Sequence, residues 1–63
     1  MKVYIERTKE NKDVKANNVE ELLVKLKLNP TTVLVIKNNN LVTETEKLTD
    51  KDEIKIISVV SGG

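Results

Sequence analysis

One stretch of helical periodicity sits between two β-patterned halves, and this limits the fold more than any other feature. Val19, Leu22, Leu23 and Leu26 recur at i, i+3, i+4 and i+7, which sets all four on one face of a helix. Asn18 is placed to cap that helix, and Glu21 stands three residues on, in the capping-box position. Glu20 and Glu21 suit the positive start of the helix dipole, and Lys25 and Lys27 its negative end. Asn29-Pro30 is expected to stop it. Asn tolerates the left-handed conformation, and the proline ring opposes helix at the preceding residue.

The flanking segments alternate with period two. In residues 2–7, Val3 and Ile5 face one way and Lys2, Tyr4 and Glu6 the other, which predicts a half-buried strand. Residues 8–11 read as a turn, and 12–16 as a weak edge strand around Val14, with lysines that discourage edge-to-edge pairing. Residues 31–37 are β-branched and apolar on both faces, as in a strand covered on both sides or partnered at an interface. Asn38-Asn39-Asn40 predicts a turn, because Asn accepts positive φ more readily than most residues. Residues 41–42 form a short strand, 43–47 a polar connection, Leu48 an anchor and 49–52 a turn. The last strand is expected over 53–60, with Ile54 and Ile56 on one face and Ile57 and Val59 on the other.

This order predicts an α+β fold, a mixed sheet wrapped round one helix with the last strand parallel to the first. That is the β-grasp, or ubiquitin-like, arrangement. The expected core is Val3, Ile5, Val14, Val19, Leu22, Leu23, Leu26, Val33, Val35, Leu48, Ile54 and Ile56. Sixty-three residues allow one domain, and with no cysteine the core must hold it without a disulfide. The absence of histidine removes the commonest general base and metal ligand together. A net charge of +1 and a lone aromatic, Tyr4, leave no basic stripe or stacking platform for nucleic acid. The longest apolar run, Val33-Leu34-Val35-Ile36, is too short for a membrane span. A soluble cytoplasmic domain that is a monomer when free is the expectation.

The two glycines of the sequence are its last two residues, Gly62 and Gly63. Without a Cβ such a pair passes through narrow slots, and the α-carboxylate it carries is unhindered. We therefore expect residues 1–60 to form the domain and 61–63 a flexible tail.

With that order and that tail, the chain resembles the ubiquitin-like sulfur carriers of the ThiS and MoaD family. The resemblance runs the whole length. Val33-Leu34-Val35-Ile36-Lys37-Asn38-Asn39-Asn40-Leu41-Val42 is similar to the family's apolar strand, turn and returning strand. Leu48-Thr49-Asp50-Lys51-Asp52-Glu53-Ile54 is similar to its turn into the last strand, and Val60-Ser61-Gly62-Gly63 to its terminal signature. Asn39 and Lys51 stand where the family often has glycine, and Lys51 would be strained if positive φ were required there. Ser58-Val59 replaces a proline pair that often precedes the MoaD tail.

The resemblance implies that this chain is not itself an enzyme and binds no cofactor of its own. A ubiquitin-activating-type adenylyltransferase, using ATP and Mg, would adenylate the carboxyl of Gly63. A persulfide enzyme would supply sulfur to make a thiocarboxylate. A sulfur-accepting synthase would use it for thiamine, molybdopterin or thiolated tRNA. Val60, Ser61 and Gly62 would form the segment inserted into the partner. Tyr4, Leu34, Ile36, Ile57 and Val59 are expected to form a partner-binding patch on the sheet face away from the helix. The alternatives are a protein modifier joined through Gly63 to lysines of targets, and a non-catalytic β-grasp interaction module. Asp50, Asp52 and Glu53 lack the glycine and ligand spacing of a calcium loop and read as a solvated turn. Glu44 and Glu46 read as a solvated connection, so no metal site is expected.

Overall fold

The computed structural model describes residues 1–59. Six elements follow one another: β1 (Lys2–Ile5), β2 (Glu10–Asp13), α1 (Val19–Lys25), β3 (Val33–Lys37), β4 (Asn40–Val42) and β5 (Glu53–Ser58). The strands form one sheet in the order β2-β1-β5-β3-β4. β1 and β5 pair in parallel at its centre, with Val3 opposite Ile54 and Ile5 opposite Ile56. The other three pairings are antiparallel. Two hairpins thus flank the central strand β5, which runs parallel to β1, and one helix packs on the sheet, which is the β-grasp fold. β5 ends at Ser58, with Val59 outside it, short of the expected end at Val60; Val60 itself and the tail residues Ser61, Gly62 and Gly63 lie outside the described residues.

The helix forms where its apolar stripe predicts, and its start is closed from two sides. Asn18 is extended at φ −152°, and its Oδ1 accepts the Glu21 N–H at 2.7 Å. The next donors find backbone partners in the 43–47 connection. Val19 donates to the Glu46 carbonyl and Glu20 to that of Glu44, each at 3.0 Å. The helix ends earlier than Asn29-Pro30 would require. Lys27 turns left-handed at φ 59°, its N–H donating to the Val24 carbonyl while Leu28 donates to that of Leu23. These are the two bonds of a Schellman cap. They return Leu28 to the core, where it packs against the buried cluster.

The first hairpin corrects the expected placement of the second strand. β2 is Glu10–Asp13, about two residues ahead of the apolar signal at Val14, and all four of its residues are exposed. Its register is set by the four-residue turn after Ile5, in which Lys9 adopts φ 57° and Ile5 comes to face Glu10. Val14 follows the strand and donates to the Met1 carbonyl at 3.1 Å. In the second hairpin Lys37 faces Asn40, so Asn38 and Asn39 form the two-residue loop, at φ 49° and 70°. Positive φ at both positions is the type I′ turn that suits the twist of a hairpin. Lys51 is not among the positive-φ residues, so no glycine is needed there.

The core is Val3, Ile5, Val19, Leu22, Leu23, Val35, Leu48, Ile54 and Ile56, with Met1 as an addition that the sequence did not suggest. Val14, Leu26 and Val33 are only partly buried and pack around it. Each fully buried aliphatic side chain contributes about 1.5–3 kcal/mol relative to exposure. Leu22, wholly buried, is among the largest of these side chains and joins the helix to the sheet residues of the cluster.

Candidate functional site

Because strand residues alternate, burying Val3, Ile5, Val35, Ile54 and Ile56 against the helix turns their neighbours to the other side of the sheet. Tyr4, Leu34, Ile36 and Ile57 therefore share the outward face, and register brings them together in two rows. In the first, Tyr4 of β1 and Ile36 of β3 lie on either side of Lys55 of β5. In the second, Leu34 is directly opposite Ile57. Val59 continues the second row's side of the strand one residue past β5, its N–H donating to the Thr32 carbonyl at 2.9 Å. Leu34 and Val59 are 42% and 46% exposed, while Tyr4, Ile36 and Ile57 are half-buried by one another and by the sheet.

Three further members were not legible as such. Leu41 pairs with Ile36 and is 65% exposed, extending the first row to the sheet edge. Pairing across the Asn38-Asn39 turn is the signal that would have found it. Lys55, at the centre of the same row, and Glu6, just past β1, join in an ion pair at 3.6 Å. Tyr4, Asn11, Ile36 and Lys55 line a shallow depression on this face. Val60, Ser61 and Gly62, the segment expected to enter the partner, and Gly63 fall outside the described residues.

A second group of charges lies at the opposite end of β3, away from Val59. Asp52 is not solvated as the sequence suggested but buried to 9% exposure. Its Oδ2 accepts the Thr49 N–H at 2.8 Å and its Oδ1 accepts the Asn38 amide at 3.0 Å. The Thr49 N–H, then the Asn38 amide, hold its carboxyl below the ordinary aspartate range against the opposing effect of burial, with Lys37 adding to the effect. Lys37 donates to Glu46 at 2.8 Å and is raised above the ordinary lysine value chiefly by that bond. Glu46 is thus a partner of the fold and not a free carboxylate in a solvated connection. The cluster ties the 43–52 loop to the end of β3 and the β3–β4 turn. Among the described residues no group of three acidic side chains converges to hold a metal ion, and no helix is long and apolar enough to cross a membrane.

The arrangement can dock a protein against an apolar sheet face beside the point where the chain leaves its last strand. A family model described as the ThiS family matches residues 2–63. The curated protein "Sulfur carrier protein TtuB" of Thermus thermophilus is 35% identical over 52 residues, which is 81% of this chain and 80% of that protein. The strand order, the outward face and a match that runs through Gly62-Gly63 lead to one assignment: the chain belongs to the ThiS family.

Proposed function

We propose that this protein is a sulfur carrier whose reactive group is the carboxyl of Gly63. A carboxyl terminus has a reference pKa of about 3.3–3.7, so it is an anion at neutral pH and a poor electrophile. Activation requires a partner of the ubiquitin-activating type. The carboxylate attacks the α-phosphate of ATP and pyrophosphate leaves, giving an acyl-adenylate. The terminal sulfur of an enzyme persulfide then displaces AMP to give an acyl disulfide, and a thiol of a partner enzyme cleaves its S–S bond, becoming a disulfide itself and leaving a glycyl thiocarboxylate. A sulfur-accepting synthase consumes it, in thiamine, molybdopterin or thiolated-tRNA formation. The chain is the substrate of these enzymes and catalyses none of the steps. ATP and Mg belong to the partner.

In this reading residues 1–60 form the gripping domain and 61–63 the tail, with Val60, Ser61 and Gly62 threaded into the partner while Tyr4, Leu34, Ile36, Ile57 and Val59 hold its surface. The observation that carries the proposal is the family match extending from residue 2 to residue 63, through both glycines. The likeness to a protein named as a sulfur carrier supports the same chemistry.

The test is direct. The purified chain is offered ATP, Mg and the adenylyltransferase of its source organism. The expected result is pyrophosphate exchange that disappears when Gly63 is deleted. With a persulfide donor and a thiol reductant, intact mass should rise by the exchange of one oxygen for sulfur. Exchange that persists without Gly63, or none with a demonstrably active enzyme, would overturn the proposal. Gly-Gly remnants on lysines of other proteins, without the mass gain, would instead establish the modifier reading.

A further inference from the structure

The outward sheet face holds Lys55 in the midst of its apolar side chains, with Lys2 nearer the start of β1 on the same face. Lys55 stands on the central strand β5, directly opposite Tyr4 on one side and Ile36 on the other. Ile57 follows it on the same face, and Leu41 lies beyond Ile36. Among the described residues the carboxylate that Lys55 reaches is Glu6, at 3.6 Å, with the two side chains 49% and 51% exposed. An exposed pair at that separation contributes only about 0–1 kcal/mol, because water screens it and both side chains lose freedom.

Covering the face changes the balance. A protein docked over Tyr4, Ile36, Leu41 and Ile57 strips water from the Lys55 ammonium. The effective penalty for burying such an ion is several kcal/mol unless it is paired at close range. The long contact to Glu6, which lies just past the end of β1, is a poor replacement for that water. A purely apolar partner would therefore meet a strong penalty at the centre of the surface it needs.

We infer that the protein docking on this face is an adenylyltransferase that presents a carboxylate to Lys55, taking it from Glu6, so that Lys55 selects the partner. The inference rests on the sulfur-carrier reading above. It also carries a length. Gly63 is eight residues beyond Lys55, and an extended chain advances about 3.3 Å per residue. The Lys55 and Gly63 backbones therefore lie within about 26 Å of each other, which limits how far the partner's carboxylate, one lysine side chain further, can be from the centre that activates Gly63. One enzyme surface must satisfy both contacts.

The experiment is pyrophosphate exchange with the full chain and the source organism's adenylyltransferase, read as KM and kcat at low and high salt. Lys55→Glu should raise KM by about tenfold or more, since it sets like charges against each other. Lys55→Met should raise it less and flatten its salt dependence, and Lys55→Arg should restore most of the loss. In all three kcat should stay within about twofold, because Lys55 does not touch the reacting carbonyl. Glu6→Gln should leave KM unchanged or lower it. A Lys55→Glu variant with wild-type KM overturns this inference and leaves the sulfur-carrier reading standing. So does a Glu6→Gln variant as impaired as Lys55→Met, since Glu6 would then be the partner of Lys55 in the complex too. A wild-type chain with no Gly63-dependent exchange overturns the reading beneath both.

Discussion

Asp52 shows how one side chain can hold a loop that has little apolar content. It accepts from Thr49 at the start of its own turn and from Asn38 in the β3–β4 hairpin. Asn38 in turn accepts the Glu53 N–H at 3.0 Å through its Oδ1. The carboxyl is held below its ordinary value in the fold, first by the Thr49 N–H. Its stabilising effect is therefore fully present above the unfolded aspartate pKa of about 3.9, and is lost as pH falls through the lower folded value. Asp52→Asn should accordingly lower the melting temperature at pH 7, and the gap from wild type should close below about pH 4. Thermal denaturation followed by circular dichroism across pH 2–7 checks this, and a gap that stays constant down to pH 2 would remove the role assigned here. None of this was legible in Asp50-Lys51-Asp52-Glu53. Local composition describes a solvated turn, whereas burial of Asp52 depends on Asn38, fourteen residues away.

At the scale of elements, the helix start was legible because its signals are local: an Asn cap, acidic first-turn residues and an apolar stripe. The helix end was not, because a lysine carries the left-handed position and Asn29-Pro30 offered a stronger but later stop signal. For a residue with a Cβ the left-handed region costs about 1–2 kcal/mol. Lys27 bears this because the cap returns Leu28 to the core. Lys27→Gly relieves that strain, offset by about 0.4–1 kcal/mol from the freer unfolded chain and a little from the lost positive charge at the helix end. The net expectation is a gain of about 0.5 kcal/mol, or a few degrees in melting temperature for a domain of this size. Lys27→Ala, which keeps the Cβ, should change stability by less than the glycine variant. Equal effects from the two would show that strain is not the cause. The second strand escaped prediction for a related reason. Its register follows the turn at Lys9, and its exposed Glu10-Asn11-Lys12-Asp13 carries no apolar alternation to read.

For the molecule as a whole, the proposed function gives the two faces of one sheet separate duties. The inward face of the sheet joins Val19, Leu22 and Leu23 to make the core, and a domain of this size draws only about 3–5 kcal/mol of net stability from a single core. Leu22 is fully buried, so Leu22→Ala should remove about 2–5 kcal/mol and leave much of the population unfolded at 37 °C. The outward face carries apolar side chains that the fold does not need. Leu41 is 65% exposed, so Leu41→Ser should change stability by no more than about 0.5 kcal/mol. Yet it removes one apolar contact from the row that includes Tyr4, Lys55 and Ile36, and in the proposed function that row meets the activating enzyme. Urea denaturation and pyrophosphate exchange, run on the same two variants, separate the duties. Leu41→Ser should unfold with the wild-type midpoint and show a raised KM, whereas Leu22→Ala should unfold early. A Leu41→Ser midpoint as low as that of Leu22→Ala would mean that the outward apolar residues serve the fold itself, and the face would lose its standing as a docking surface.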